Sequence, residues 1–323
     1  HVRMSSCFVR PGHRGMHMRH ILQQYLSRNL CQRSRHADLL RQNILNSDKK
    51  MRITSIIENT SYKGLPVEHG LSLYIEKDDE QKVLFDMGQS DLFVRNAESL
   101  ELCIADIDVA VVSHGHYDHG GGLESFLNKN NKARVYIHKD AFLPHYSLRD
   151  TGLRLIGLDK SLQENKRIMF CEEVTHMSSG MTLFADVQGN CCFPVGNRLL
   201  FGPSATENDS FCHEQSLIIE ENGKLALFAG CAHRGIVNII RKAEEVAGKA
   251  PTHVFAGMHL VKSGLDPIEE DSFISCLASE LLRYQDTMFY TMHCTGEEQY
   301  KKLKSLMGRQ IEYLACGDNI MIL

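Results

Sequence analysis

The apolar positions of this chain change period as they advance. Residues 53–58, 71–76 and 82–85 are short runs rich in β-branched and aromatic residues, which predicts strands, the last two joined by a charged turn at 77–81. Helical spacing follows at 91–102, a strand at 107–112, a helix at 123–128 and a strand at 134–138. Between 167 and 201 short apolar runs are broken by Gly180, Gly189, Pro194 and Gly196, the pattern of strands and turns. Runs at 216–220 and 225–229 flank Glu221-Asn222-Gly223-Lys224, where Asn-Gly supplies the positive φ of a tight hairpin. Further on, the spacing predicts a helix at 236–247, a strand at 252–256, an amphipathic helix at 266–284, a strand at 288–291, a helix at 297–307 and a closing strand at 320–323. No solenoid period or Pro-rich linker interrupts this order, so residues 51–323 are expected to form one mixed α/β domain.

Composition narrows the class. A chain of 323 residues that is 43% hydrophobic and 24% charged can bury a core without staples. Its longest apolar runs, such as 109–112, fall far short of the roughly 20 residues that cross a bilayer, so no membrane span is expected. The net charge of -4 is unevenly spread: residues 1–50 hold ten Lys and Arg against two Asp, and the remainder holds 26 basic and 38 acidic groups. An acidic body lacks the footprint of a nucleic-acid binder. The basic head is expected to be a poorly ordered N-terminal extension, either a targeting segment or a stretch upstream of a natural start at Met51. Eleven cysteines without a paired CxxC framework favour free thiols in a reducing, cytoplasmic compartment.

Chemistry concentrates in Val111-Val112-Ser113-His114-Gly115-His116-Tyr117-Asp118-His119-Gly120-Gly121-Gly122, which places three imidazoles and a carboxylate within six positions after a strand. Neutral imidazole and carboxylate suit zinc, iron or manganese, and the glycines permit tight turns.

HxHxDH after a hydrophobic strand resembles the metallo-β-lactamase superfamily. The resemblance implies an α/β fold, the metallo-β-lactamase-like αββα four-layer sandwich, over residues 51–323. It also implies that His114 and His116 bind one metal and that Asp118 and His119 bind a second. Val83-Leu84-Phe85-Asp86-Met87-Gly88 resembles the family's strand ending in Asp-x-Gly, with Asp86 bracing the metal loop. Glu68-His69-Gly70-Leu71-Ser72, Glu214-Gln215-Ser216-Leu217, Gly230-Cys231-Ala232-His233-Arg234-Gly235-Ile236, Gly257-Met258-His259-Leu260 and His293-Cys294-Thr295-Gly296 together resemble the subgroup of dihydropterin-(ribofuranosyl)aminobenzene phosphate synthases and metal-dependent hydrolases. His233 and His293, at strand ends, are expected to complete the two shells. Where lactamase relatives carry a bridging Asp this chain has Cys231, either a ligand or a buried inert thiol, and His213 is the nearest candidate for the family's third-motif histidine.

Two divalent ions are therefore expected, zinc first, with iron, manganese or magnesium as alternatives. Asp118 and His259 are the catalytic candidates, and Glu214, His69 and Arg234 the substrate-binding ones. The expected activity is that of a hydrolase or related transferase on a phosphorylated or pterin-like small molecule, through metal-activated water or metal-stabilised pyrophosphate departure. The alternative is a non-catalytic metal or redox sensor using Cys231 and Cys294. A small-molecule substrate is the expected partner, and self-association into a homo-oligomer stays open.

Overall fold

Two seven-stranded sheets carry the fold. In this computed structural model, which describes residues 50–177, 180–261 and 264–322, the first sheet runs in the order Asn319–Ile322, Met51–Ile57, Ser72–Glu76, Lys82–Phe85, Val109–Val111, Arg134–His138 and Ile168–Cys171. The second runs Ile311–Tyr313, Met288–Thr291, His253–Ala256, Lys224–Ala229, Ser216–Glu221, Met181–Phe184 and Val174–His176. The expected basic extension at 1–50 lies outside the described residues apart from Lys50. Among those described, no helix is long and apolar enough to cross a membrane.

Alternation of side chains builds the layers. On Ser72–Glu76, Leu73 and Ile75 pack between the sheets while Tyr74 faces the helices Leu92–Ser99 and Leu123–Lys129. On Lys224–Ala229, Ala226 and Phe228 enter the same inter-sheet core, and Leu225 and Leu227 meet the helices Ile236–Ala247 and Pro267–Leu281. Both sheets are thus covered on their outer faces, giving the four layers α, β, β and α. Ile274, Leu277, Ala278 and Leu281 form the buried stripe of the long helix, whose start is fixed by Pro267 and by Asp266 accepting from the Ile268 and Glu269 amides. At the Asn222-Gly223 turn, φ values of 49° and 76° match the hairpin expected there.

The central strands of both sheets are parallel: Lys82–Phe85 with Val109–Val111 and Arg134–His138, and Lys224–Ala229 with His253–Ala256 and Met288–Thr291. Parallel strands send their C-terminal loops to one edge, where ligand sites form. A third, three-stranded sheet of Leu200–Phe201, Tyr146–Arg149 and Gly152–Leu155 stands beside that edge; the sequence pattern read strands and turns up to residue 201 but assigned no element to 146–155. It rests on a small cluster of Ile156, Leu200 and Phe211 against Tyr117 and Phe193.

Candidate metal centre

The loop after Val109–Val111 is held from below by Asp86. This fully buried carboxylate accepts the Ser113 amide at 2.7 Å and the Ser113 hydroxyl at 2.8 Å, and takes the His119 Nδ1 proton at 2.7 Å. Gly230 must lack a side chain because a Cβ there would collide with Ser113 Oγ. His116 then caps the single turn Tyr117–Gly120, which brings Asp118 and His119 round to the same side as the second sheet's loops.

Two groups of donors converge. His114, His116 and His233 form one: His114 Nε2 lies 3.0 Å from His116 Nδ1, and His233 Nε2 is buried without a hydrogen-bond partner. In the other, His119 Nε2 lies 3.2 Å from His293 Nε2 and 3.1 Å from Cys231 Sγ, and Asp118 Oδ2 lies 3.3 Å from His293 Nε2 and 3.2 Å from His69 Nε2. Oxygens fix the tautomers. His119, His233 and His293 each meet an acceptor at Nδ1, namely Asp86 Oδ2, Asn197 Oδ1 and Asn59 Oδ1, so each directs an Nε2 lone pair inward. Lone pairs facing one another near 3 Å cannot satisfy each other, and a cation between them can. Nitrogen and oxygen donors, with one thiol in reach, fit a borderline divalent ion such as zinc.

The electrostatics agree. Burial drives His114, His116 and His233 well below the usual histidine range, which keeps them neutral and able to ligate. At Asp118 burial works upward but is outweighed by His119, His293 and His69, and the carboxyl is held well below its ordinary range. Burial likewise lowers His119, but Asp86 and Asp118 overcome it and raise the group. The Cys231 thiol is pushed up by its burial.

Above these donors opens a cavity of about 490 Å³ lined by His69, His116, Asp118, Cys231, His233, His259 and His293, with Leu148, Arg149, Ile156 and Leu200 on its upper wall. His114 and His119 lie under its floor, both fully buried. His69 and His259 both face the cavity, the His259 ring 4.4 Å from that of His233. Two expectations need correction. Glu214 is a buried support rather than a substrate contact: its carboxylate accepts the His233 and Arg234 amides at 2.7 and 2.8 Å, and burial raises it to about 7. Arg234 also turns away, donating to the carbonyls of Val187 and Ser210 beside the Phe193 ring.

Other residues escaped the sequence. Asn59 and Asn197, which orient His293 and His233, carry no motif signal, since each meets its histidine only in the fold. His213 is not in the group of His114, His116 and His233. Its Nδ1 accepts the Gly115 amide at 2.9 Å and its Nε2 faces Asp209 Oδ2 at 3.3 Å, while His145 donates to the same oxygen at 2.8 Å, a buried network behind His116.

Four layers with a histidine-rich loop at the edge where parallel strands end define a metallo-β-lactamase fold. The sequence profile described as the metallo-beta-lactamase superfamily matches residues 65–241, just over half of the chain, and the chain belongs to that superfamily. The crystal structure of a metal-dependent hydrolase of the beta-lactamase superfamily is 30% identical, with a TM-score of 0.70 over 84% of this chain and 99% of that one. An uncharacterized protein of Methanocaldococcus jannaschii is 29% identical over 79% of this chain and 94% of its own length. From the same organism, 7,8-dihydropterin-6-methyl-4-(beta-D-ribofuranosyl)-aminobenzene-5'-phosphate synthase is 24% identical over 71% of this chain and 81% of its own length.

Proposed function

We propose that this chain is a metal-dependent hydrolase of small phosphorylated molecules, with His114, His116 and His233 holding one divalent ion and Asp118, His119 and His293 a second. The observation that carries this reading is the set of inward Nε2 lone pairs on His119, His233 and His293, each fixed by an oxygen at Nδ1. Divalent ions held there would make water acidic near neutral pH and neutralise charge building on a leaving group. Asp118 orients the attacking water, His69 holds the Asp118 carboxylate, and His259, with Nδ1 unpartnered, stands where a leaving group needs a proton. Cys231 stands within reach of the second group as a further donor, which favours zinc over magnesium.

The test is reconstitution of the full chain with zinc, metal counting by mass spectrometry, and assay of bis(p-nitrophenyl) phosphate. Two zinc per chain and activity abolished by chelation and by His116→Ala support the reading; two zinc with no turnover of any phosphodiester or phosphomonoester refute it. That second outcome, with a spectral change on oxidation, would support the sensor built on Cys231 and Cys294. A transferase reading draws on the match to the pterin phosphate synthase, and pyrophosphate release from a pterin pyrophosphate that requires an aminobenzene acceptor would favour it. The nine described cysteines are all free thiols, which supports a cytoplasmic setting.

A further inference from the structure

The hairpin of Tyr146–Arg149 and Gly152–Leu155 is exposed on both faces except at Tyr146 and Ser147. Its register pairs Ser147 with Arg154, Leu148 with Leu153 and Tyr146 with Leu155, so Ser147, Arg149 and Arg154 share one face and the leucines the other. A surface hairpin ordinarily turns leucines inward and arginines outward. Here Leu148, Leu153 and Leu155 are 42, 44 and 59% exposed, whereas Ser147 is buried and lines the cavity together with Arg149. The Arg154 guanidinium stands 5.9 Å from the centre of the Tyr117 ring, between His116 and Asp118 in the histidine loop.

The hairpin is also anchored to the site. The Tyr117 amide donates to the Ile156 carbonyl at 2.9 Å, and the Ile156 amide donates to the His145 carbonyl at 2.8 Å, so the arginine face is held over the mouth. Among the described residues neither guanidinium has an ion-pair partner within 4 Å, although Asp150 lies next to Arg149 and also lines the cavity. Arg149 is the single Lys or Arg lining that cavity among the described residues. A guanidinium fork matches the oxygens of a phosphate.

We propose that Arg149, assisted by Arg154, forms an anion subsite at the cavity rim that selects substrates bearing a phosphate monoester remote from the bond that is cleaved, with Ile156 and Leu200 covering the body between. This deepens the hydrolase reading above and rests on it for the word substrate. The subsite itself can be read by binding alone.

The full chain loaded with zinc is titrated calorimetrically with thymidine 5'-monophosphate and with thymidine 3',5'-bisphosphate. Kinetics then compare their 5'-p-nitrophenyl esters. The wild type is expected to prefer the 3'-phosphorylated ligand by about tenfold, the worth of one charge-assisted contact, with the preference shrinking as salt rises. Arg149→Gln should bring the ratio close to one, Arg154→Gln should reduce it by less, and Arg134→Gln, an exposed residue that does not line the cavity, should keep it. A wild type without preference, or an Arg149→Gln protein that keeps it, overturns the proposal. If the wild type prefers the bisphosphate but hydrolyses neither ester, the subsite stands and the hydrolase reading falls.

Discussion

Asp86→Asn isolates what one buried oxygen does for the metal centre. Asparagine keeps the shape of the side chain and tolerates the left-handed backbone at this position, φ 62°, so the substitution changes little besides charge and proton donation. Its amide oxygen can still accept the Ser113 N–H. Its NH2, placed where Oδ2 meets His119 Nδ1 at 2.7 Å, is a donor facing a donor. His119 relieves the conflict by carrying its proton on Nε2, and that atom then points an N–H at Cys231 and His293 instead of a lone pair. Loss of such an orienting partner typically weakens metal affinity about 10- to 100-fold, or about 1.4 to 2.7 kcal/mol. Trading a charged acceptor for a neutral one should also cost the metal-free fold about 2 kcal/mol.

Zinc titration against a chromophoric chelator separates these effects, since His114, His116 and His233 do not touch Asp86. One zinc equivalent should weaken by the stated factor and the other should change by less than about threefold. Urea unfolding of the metal-free protein gives the second number. The reasoning is refuted if both equivalents bind as in the wild type, or if both weaken equally with no loss of metal-free stability.

Four further outcomes are expected. Glu214→Gln sets an NH2 against the His233 or Arg234 amide and should lower metal-free stability by about 2 kcal/mol in urea, and unchanged stability would return Glu214 to a substrate role. Gly230→Ala drives a methyl into Ser113 Oγ and should cost about 1 to 3 kcal/mol together with zinc affinity; a melting curve superimposable on the wild type would contradict the packing argument. His259→Asn should keep zinc stoichiometry and lower kcat about 100-fold with KM little changed, whereas loss of zinc would make His259 a ligand. At Asp209 burial works upward but His145 and His213 outweigh it, so the folded carboxyl titrates far below its unfolded value near 4. Its contribution is complete above that unfolded value and is lost as pH falls toward the folded one, so the stability gap between wild type and Asp209→Asn should be about 1.4 kcal/mol smaller at pH 3 than at pH 6. A gap independent of pH would sink this assignment.

What the sequence made legible was local. His114, His116, Asp118 and His119 are tied by spacing within one loop, and the strands before His233 and His293 are visible as apolar runs, so their meeting follows from parallel topology. Glu214 and Arg234 misled because a motif does not say whether a polar side chain faces a ligand or turns back to cap backbone amides. The hairpin at 146–155 was invisible for a related reason: its leucines face outward, and its two-residue turn, Asp150-Thr151 with Gly152 at φ 105° after it, lacks the Asn-Gly mark found at 222–223. Asn59 and Asn197 belong to the same group, since an asparagine in a loop acquires meaning only from the imidazole opposite it.

Four of the non-glycine residues with left-handed backbone sit beside the donors. Asp86 (φ 62°), Ala232 (52°), His259 (47°) and His293 (52°) each follow by one to three residues the end of a central parallel strand, at Phe85, Ala229, Ala256 and Thr291. A left-handed residue with a side chain costs about 1 to 2 kcal/mol, so the four together approach the whole stability of an ordinary domain. Specific bonds hold these turns: Glu58 accepts the His293 amide at 2.6 Å, Cys294 Sγ accepts the His259 amide at 3.2 Å, and Asp86 is fixed by its three donors. Glycine would relieve the backbone at each position, but at 86, 259 and 293 it would also delete the carboxylate or imidazole that faces the cavity or braces its floor. The strain is therefore inseparable from the chemistry, and metal binding, by stabilising only the folded arrangement, should offset it in proportion to the logarithm of free metal concentration.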